Sequence, residues 1–213
     1  MSDVQAPARR IVAIVPVGAL EGAKSRLGGT LDAEERRDLV TQLLTRTVTA
    51  TLATPAIAET LVVSPDSDVL ALGERLGARS LRQRSQGLNQ GLAEGRDDAA
   101  AGGATAVAIV PIDLPLISAE ALGRLLAPVA AGNGPLVVLV PDRHGRGTNA
   151  LVLAPPDAIG FRFGGDSRAA HAACARESGA RYVEIDGPLA LDLDTPEDLL
   201  LVDEMTAEGA DVR

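Results

Sequence analysis

The 213 residues include one cysteine, no tryptophan, one tyrosine and two phenylalanines. A solitary Cys174 excludes a disulfide framework and a thiolate metal site. It falls in a helical stretch and is expected in the core. Phe161, Phe163 and Tyr182 are too few to build a platform on which nucleic-acid bases stack. No apolar run approaches the roughly 20 residues of a membrane-spanning helix. Residues 1–10 are polar and lack the apolar segment of a secretory signal, so the cytoplasm is the expected compartment. Basic side chains are also in deficit. Lys and Arg total 20 against 29 Asp and Glu, a formal net charge of −9. Such a chain attracts neither nucleic acid nor an anionic membrane without a local basic patch. The two histidines, His144 and His171, have no spacing that suggests zinc. No Ser/His/Asp order stands out for acyl transfer.

What is present is an ample core and a regular alternation. Hydrophobic residues make up 46% of the chain, which suits a single domain spanning 1–213 with an ordered core of about 10–206. Residues 11–15 form a β-branched run expected of a strand buried on both faces. Helical periodicity follows over 32–52, with an apolar stripe of Leu39, Val40, Leu43, Leu44 and Val48, and Asp32 with Glu35 resembles a capping box. Strands are expected at 60–64, 79–82, 106–110, 136–140, 150–154 and 181–184. Helices are expected at 66–76, 87–101, 118–131, 167–178 and 195–205. Alternating β and α units imply an α/β fold, an open and mostly parallel sheet with helices on both faces. The loop joining 136–140 to 150–154 allows an antiparallel pair there, which would make the sheet mixed.

In such sheets ligands sit beyond the carboxyl ends of the strands. The polar clusters of this chain fall at those ends. Leu191-Asp192-Leu193-Asp194-Thr195-Pro196-Glu197-Asp198 reads as a strand end carrying two acids on one face, followed by a helix capped by Thr195. Asp113, between Pro111 and Pro115, adds a third carboxylate from the end of strand 106–110. Hard cations take oxygen ligands, and Mg²⁺ is often held by one or two carboxylates plus substrate phosphates. The loop from Pro16 and Val17 to Lys24-Ser25-Arg26-Leu27 is rich in small residues and carries two cations suited to a triphosphate. It is neither a Walker A loop nor a G-x-G-x-x-G fingerprint. Gly87 allows close approach to a ligand, and Asn89 offers a donor and an acceptor for ribose or base. Phe163-Gly164-Gly165-Asp166-Ser167 opens a helix and forms an anion cradle. The stretch 142–149, with Arg143, His144, Arg146 and Thr148, reads as a mobile loop carrying two Arg residues, a His and a hydroxyl. Taken singly, the Pro16–Arg26 loop reads better as an ordinary solvated loop with two basic residues, and Asn89 as an Asn near a helix start.

Taken in order, these landmarks resemble the guanylyltransferase family that makes the phospholactyl or enolpyruvyl guanosine diphosphate precursor of the deazaflavin coenzyme F-420. The resemblance runs from Ile11 to about Met205. It rests on Pro16-Val17, Ala23-Lys24-Ser25-Arg26-Leu27, Leu88-Asn89, Asp113-Leu114-Pro115, Gly147-Thr148-Asn149, Phe163-Gly164 with Ser167, and Asp192-Leu193-Asp194-Thr195-Pro196. Ile112 stands where such enzymes usually carry Gly before the acid, a departure that could alter the loop backbone. The resemblance implies a Rossmann-like nucleotidyltransferase fold. It implies two Mg²⁺ on Asp113, Asp192 and Asp194, GTP on the Pro16–Arg26 loop with Gly87 and Asn89, and a small phosphorylated carboxylic acid on Thr148, Gly164 and Ser167. Lys24, Arg26 and Asp113 would carry the catalytic charge. The family's bacterial members imply phosphoenolpyruvate as acceptor, with 2-phospho-L-lactate and 3-phospho-D-glycerate as alternatives.

Three other readings are open on the sequence. A molybdenum-cofactor guanylyltransferase would carry a Gly-Gly pair in its first loop, which Pro16–Leu27 lacks. A sugar-phosphate nucleotidyltransferase often carries extra sequence. A non-catalytic nucleotide-binding module would have no reason to keep three convergent carboxylates. Oligomeric state is open as well, a homodimer included.

Overall fold

The computed structural model describes residues 9–18, 32–132 and 134–193. Five helices and seven strands alternate along the described chain. They are β1 (Ile11–Pro16), α1 (Ala33–Leu52), β2 (Ile57–Ser64), α2 (Ser67–Arg75), β3 (Arg79–Arg82), α3 (Leu88–Ala101), β4 (Ala106–Ile109), α4 (Ala119–Ala130), β5 (Leu136–Pro141), β6 (Thr148–Ala154), α5 (Ser167–Ser178) and β7 (Arg181–Glu184). A 3-10 turn at Pro188–Ala190 follows. The helix expected at 195–205 lies outside the described residues.

The strands form one sheet in the order β3-β2-β1-β4-β6-β5-β7. Pairing is parallel from β3 through β4. β6 is antiparallel to both its neighbours, β4 and β5, while β5 and β7 pair in parallel. The sheet is therefore mixed through a single reversed strand. The four central strands β1, β4, β6 and β5 are buried almost throughout, which is why they read as unbroken apolar runs. The outermost strands, β3 and β7, are four residues each and carry exposed Arg79, Arg82 and Arg181, short and charged edges that discourage pairing with other chains.

Helices α1, α2 and α4 pack on one face, and α3 and α5 on the other. The α1 start is the capping box read from the sequence. Asp32 accepts from the Glu34 and Glu35 amides, and Glu35 accepts from the Asp32 amide. Ser118 caps α4 through the Ala121 amide at 3.1 Å. The second strand begins at Ile57 rather than at residue 60. Its first residues, Ile57 to Glu59, are partly exposed and polar enough to read as loop, yet they pair beside β1.

Two glycines set how closely helices approach the sheet. Gly73 of α2 packs against Val62, where a Cβ would stand 2.9 Å from a valine methyl. Gly95 of α3 meets the next residue, Val63, at 2.9 Å, and Ile14 at 3.2 Å. Gly123, in the middle of α4, has nothing within 4 Å of a built Cβ. Gly123→Ala should therefore raise stability by about 0.5–1 kcal/mol through helix propensity and unfolded-state entropy. Gly95→Ala gains the same roughly 1 kcal/mol of propensity but overpacks a buried contact at a cost of about 1–3 kcal/mol, so a net loss is expected. Urea midpoints of the two variants check this, and a stabilised Gly95→Ala would contradict the packing argument.

Candidate active site

The sheet order switches direction between β1 and β4. From β1 the chain winds outward to β2 and β3, then returns to the far side of β1 as β4. Ligand crevices in such sheets lie at a point of this kind, beyond the carboxyl ends of the strands. A pocket of about 680 Å³ opens there. Pro16, Val17 and Gly18 line it from the end of β1, Pro111, Ile112 and Asp113 from the end of β4, and Asp192 from the far end of the described chain. Because β6 runs in reverse, its first residues reach the same edge. Thr148 and Asn149 line the pocket, and so do Phe163, Gly164, Gly165 and Ser167 from the approach to α5.

The Asp113 loop is fixed by its neighbours. Ile112 and Leu114 are buried on either side of the acid. Ile112 joins a cluster with Val15, Val17, Val40 and Leu193, so the larger side chain in the usual glycine position is accommodated as core. Arg46 of α1 donates to the Pro115 carbonyl. The Leu193 amide donates to the Asp113 carbonyl at 2.8 Å, which joins the two acid-bearing segments through their backbones.

The expectation that Asp192 ends a strand is corrected by the structure. Gly187, at φ 147°, leads into the 3-10 turn Pro188–Ala190, and residues 191–193 pair with no strand. Pro188 has no N–H for a ladder. The carbonyls of Leu189 and Ala190 are taken by the Asn149 side-chain amide at 3.1 and 2.9 Å. The alternation of a strand therefore cannot be used to align the acids at 192 and 194. Asp194, Lys24 and Arg26 lie outside the described residues. Among the described residues no group of three acidic, histidine or cysteine side chains forms a metal cage. Asp113 and Asp192 do line one pocket, and two carboxylates at a solvent-accessible strand edge fit a hard divalent cation completed by substrate oxygens.

Thr148, Gly164 and Ser167, expected to act together, line the same pocket. Ser167 is the first residue of α5, and Gly164 holds φ 134°, a conformation that glycine adopts readily. Asp166 precedes the helix in the left-handed region and makes no cap bond. Its carboxylate pairs with Arg146 at 2.9 Å, which holds its pKa below the usual value. The exposed loop before β6 is tied down. Gly145 donates to the Asp142 carbonyl at 2.9 Å, the Arg146 amide to the Asp142 carboxylate at 2.8 Å, and Arg168 to the Gly145 carbonyl at 3.0 Å. Arg143 donates to His144 beside it at 3.1 Å.

Asn89 sits in the first turn of α3, but its amide is turned on protein backbone. It donates to the Phe163 carbonyl and accepts from the Phe163 amide, both at 2.9 Å. Its observed action is to hold the Phe163–Gly165 wall of the pocket. Gly87 caps the same helix at φ 90°, and the adjacent Leu88 reaches the pocket.

Two buried polar residues had no role assigned from the sequence. Asn149 fastens the turn before Asp192, as described. His171 is fully buried and touches Thr148 Oγ1 through Nδ1 at 3.1 Å, while its Nε2 accepts from the Arg162 amide at 3.0 Å. Burial first, then the Arg162 cation, pushes its pKa down to about 4. Both residues carry a signal that pattern reading could have used. Asn149 interrupts an apolar strand, and Ser167, His171 and Ala175 recur every four residues on the buried face of α5.

The described pocket lining contains Asp113, Asp142 and Asp192 and no Lys or Arg. A polyphosphate can enter such a site only with cations supplied by a metal or by side chains beyond that lining.

The fold, with its pocket at the switch point, is that of a nucleotidyltransferase. A nucleotidyl transferase from Methanothermobacter superposes with a TM-score of 0.64 over 94% of this chain and 99% of that one, at 17% identity. The chain belongs to the CofC-like guanylyl transferase family, whose model matches residues 11–212. It is 45% identical over 190 residues to the phosphoenolpyruvate guanylyltransferase of Sphaerobacter thermophilus, covering 88% of this chain and 90% of that protein. It is 46% identical over 190 residues to the protein of the same name from Rubrobacter xylanophilus, covering 89% and 91%.

The low pKa of His171 carries a stability consequence. The fold prefers the neutral ring, so the unfolded chain takes up a proton first as pH falls. Stability is complete above the ordinary value of 6.5 and is lost as pH drops from there toward about 4. The loss from this ring should reach roughly 3 kcal/mol. Urea titrations at pH 7 and pH 4.5 should show a smaller drop for His171→Asn than for the parent chain. Equal drops would remove His171 from the account.

Proposed function

We propose that this protein transfers GMP from GTP to the phosphate of phosphoenolpyruvate, releasing pyrophosphate and forming enolpyruvoyl-2-diphospho-5'-guanosine for coenzyme F-420 synthesis. The observation that carries this reading is that Asp113 and Asp192 line one pocket together with Thr148, Gly164 and Ser167. The names of the two relatives support the choice of acceptor.

On this reading the acceptor carboxylate lies against the Thr148 hydroxyl and the amides at Gly164 and Ser167, where the start of α5 favours negative charge. Pro16, Val17 and the segment containing Lys24 and Arg26 take the nucleotide, with Gly87 and Asn89 supporting the wall opposite. An acceptor phosphate oxygen attacks the α-phosphorus of GTP, a P–O bond forms, and the bond to the β-phosphate oxygen breaks. That attacking oxygen is already ionised at neutral pH, so no general base is required. His171 is buried and neutral, in keeping with this. The protein's contribution is to align the two reactants and to offset charge. Asp113, Asp192 and Asp194 would hold Mg²⁺, two ions on this reading, and the bound metal supplies Lewis-acid stabilisation of the phosphate oxygens. Lys24 and Arg26 meet the charge that develops on the leaving pyrophosphate.

Pyrophosphate release, with mass detection of the product, tests the reading against phosphoenolpyruvate, 2-phospho-L-lactate and 3-phospho-D-glycerate. Phosphoenolpyruvate should give the highest kcat/KM. A planar enol acceptor and a tetrahedral one are close in size, so discrimination by shape alone should give a margin of about 10–200-fold. A better result with either other acid would overturn the acceptor and keep the guanylyl transfer. Asp113→Asn and Asp192→Asn should each lose most activity with the fold intact, and full activity in either would remove that acid from the site. Lys24→Ala should depress kcat/KM for GTP by far more than the roughly fivefold that an exposed ion pair can contribute. An unchanged value would place Lys24 elsewhere.

A further inference from the structure

A threonine hydroxyl both donates and accepts, so its usefulness to an anion depends on where its hydrogen goes. Thr148 lines the pocket, and among the described residues its hydroxyl is hydrogen-bonded to the imidazole of His171. The tautomer of that ring is set on its far side. Nε2 lies 3.0 Å from the Arg162 amide, and a backbone N–H can only donate. Nε2 must therefore be the unprotonated nitrogen, and the proton of the neutral ring sits on Nδ1. A protonated Nδ1 cannot accept a hydrogen from Thr148. It can only donate to Oγ1.

We infer that His171 is a positioning residue for the acceptor site: it occupies a lone pair of Thr148 and thereby turns the Thr148 hydroxyl hydrogen toward the pocket as a donor to an anionic oxygen. The same ring reaches the Arg162 amide, one residue before the segment that Asn89 grips at Phe163. His171 thus touches both Thr148 and the strap that leads to Gly164. Protonation would put hydrogens on both nitrogens and break the Arg162 contact. The charged groups near the ring oppose that: Arg162 is the cation acting on it, and burial disfavours the charge. Phe163 packs edge-on against it at 5.1 Å between ring centres.

This inference rests on Thr148 contacting the acceptor, and two variants separate the premise from the conclusion. Glutamine places an acceptor oxygen near the position of Nε2, so His171→Gln keeps the Arg162 contact but loses the donor to Thr148. Asparagine places an N–H near the position of Nδ1, so His171→Asn keeps the donor to Thr148. His171→Gln should raise the KM for phosphoenolpyruvate about tenfold, the size of one hydrogen bond to a charged group, while the KM for GTP stays within about twofold. His171→Asn should restore most of that loss. Thr148→Ala should raise the acceptor KM at least as much, and adding His171→Gln to it should have little further effect. If Thr148→Ala leaves the acceptor KM unchanged, the placement of the acceptor is wrong. If Thr148→Ala acts and His171→Gln does not, or if glutamine and asparagine behave alike, the positioning role is wrong. Independently of folding in the variants, ¹⁵N–¹H correlations of the imidazole in the unmodified protein should show His171 protonated at Nδ1. A proton on Nε2 would overturn the inference. With two histidines in the chain, the spectrum of a His144→Gln variant assigns the His171 signals.

Discussion

Strand β6 runs against the other strands of its sheet, and because of that its first residues, rather than its last, reach the edge where β1 and β4 finish. A parallel strand in that place would deliver its far end, Leu153 and Ala154, to the pocket. The reversal instead delivers Thr148 and Asn149, the two polar residues at the head of an otherwise apolar strand. It also shortens the route from β5, since an antiparallel neighbour needs only a loop where a parallel one needs a crossover. The chain then continues from the opposite edge of the sheet and must return by the Phe161–Ser167 strap to begin α5. That return path is the pocket wall.

Irregular backbone at such an edge carries amides and carbonyls that no ladder satisfies, and burying them unpaired is costly. Three polar side chains meet this need. Asn149 takes the carbonyls of the turn before Asp192, Asn89 pairs with both polar atoms of Phe163, and His171 takes the Arg162 amide. Each comes from a regular element and grips an irregular one. The carboxylates that line the pocket, Asp113 and Asp192, can then be presented by irregular segments without depending on those segments alone for rigidity.

Much of this architecture was legible in the sequence because burial on both faces of a sheet leaves unbroken apolar runs, and because caps such as Asp32 with Glu35 are local. Asp113 was legible for a similar reason, as an acid between prolines at a strand end. The route to Asp192 was not. Apolar residues around 189–193 look the same whether they enter a sheet or cross its edge, and what decided the matter was Asn149, some 40 residues earlier in sequence. The partnership of Asn89 with Phe163 is equally remote, at 74 residues. Residue type marked Asn89 as able to donate and accept, the fold shows it bonded to the Phe163 backbone, and Asn149 carried no such expectation.

The paired glycines at Val62 and Val63 give the sheet a further property. Neighbouring residues of a strand face opposite layers. Gly73 therefore constrains one core and Gly95 the other, although both act on the same stretch of β2. The two layers are sealed from one another by the sheet, so a volume change accepted by α2 on its side makes no demand on α3. Sequence drift can explore the outer layers separately, while the strand between them remains nearly fixed. The face holding α3, which carries Asn89 into the pocket wall, is in this way insulated from change on the far side of the sheet.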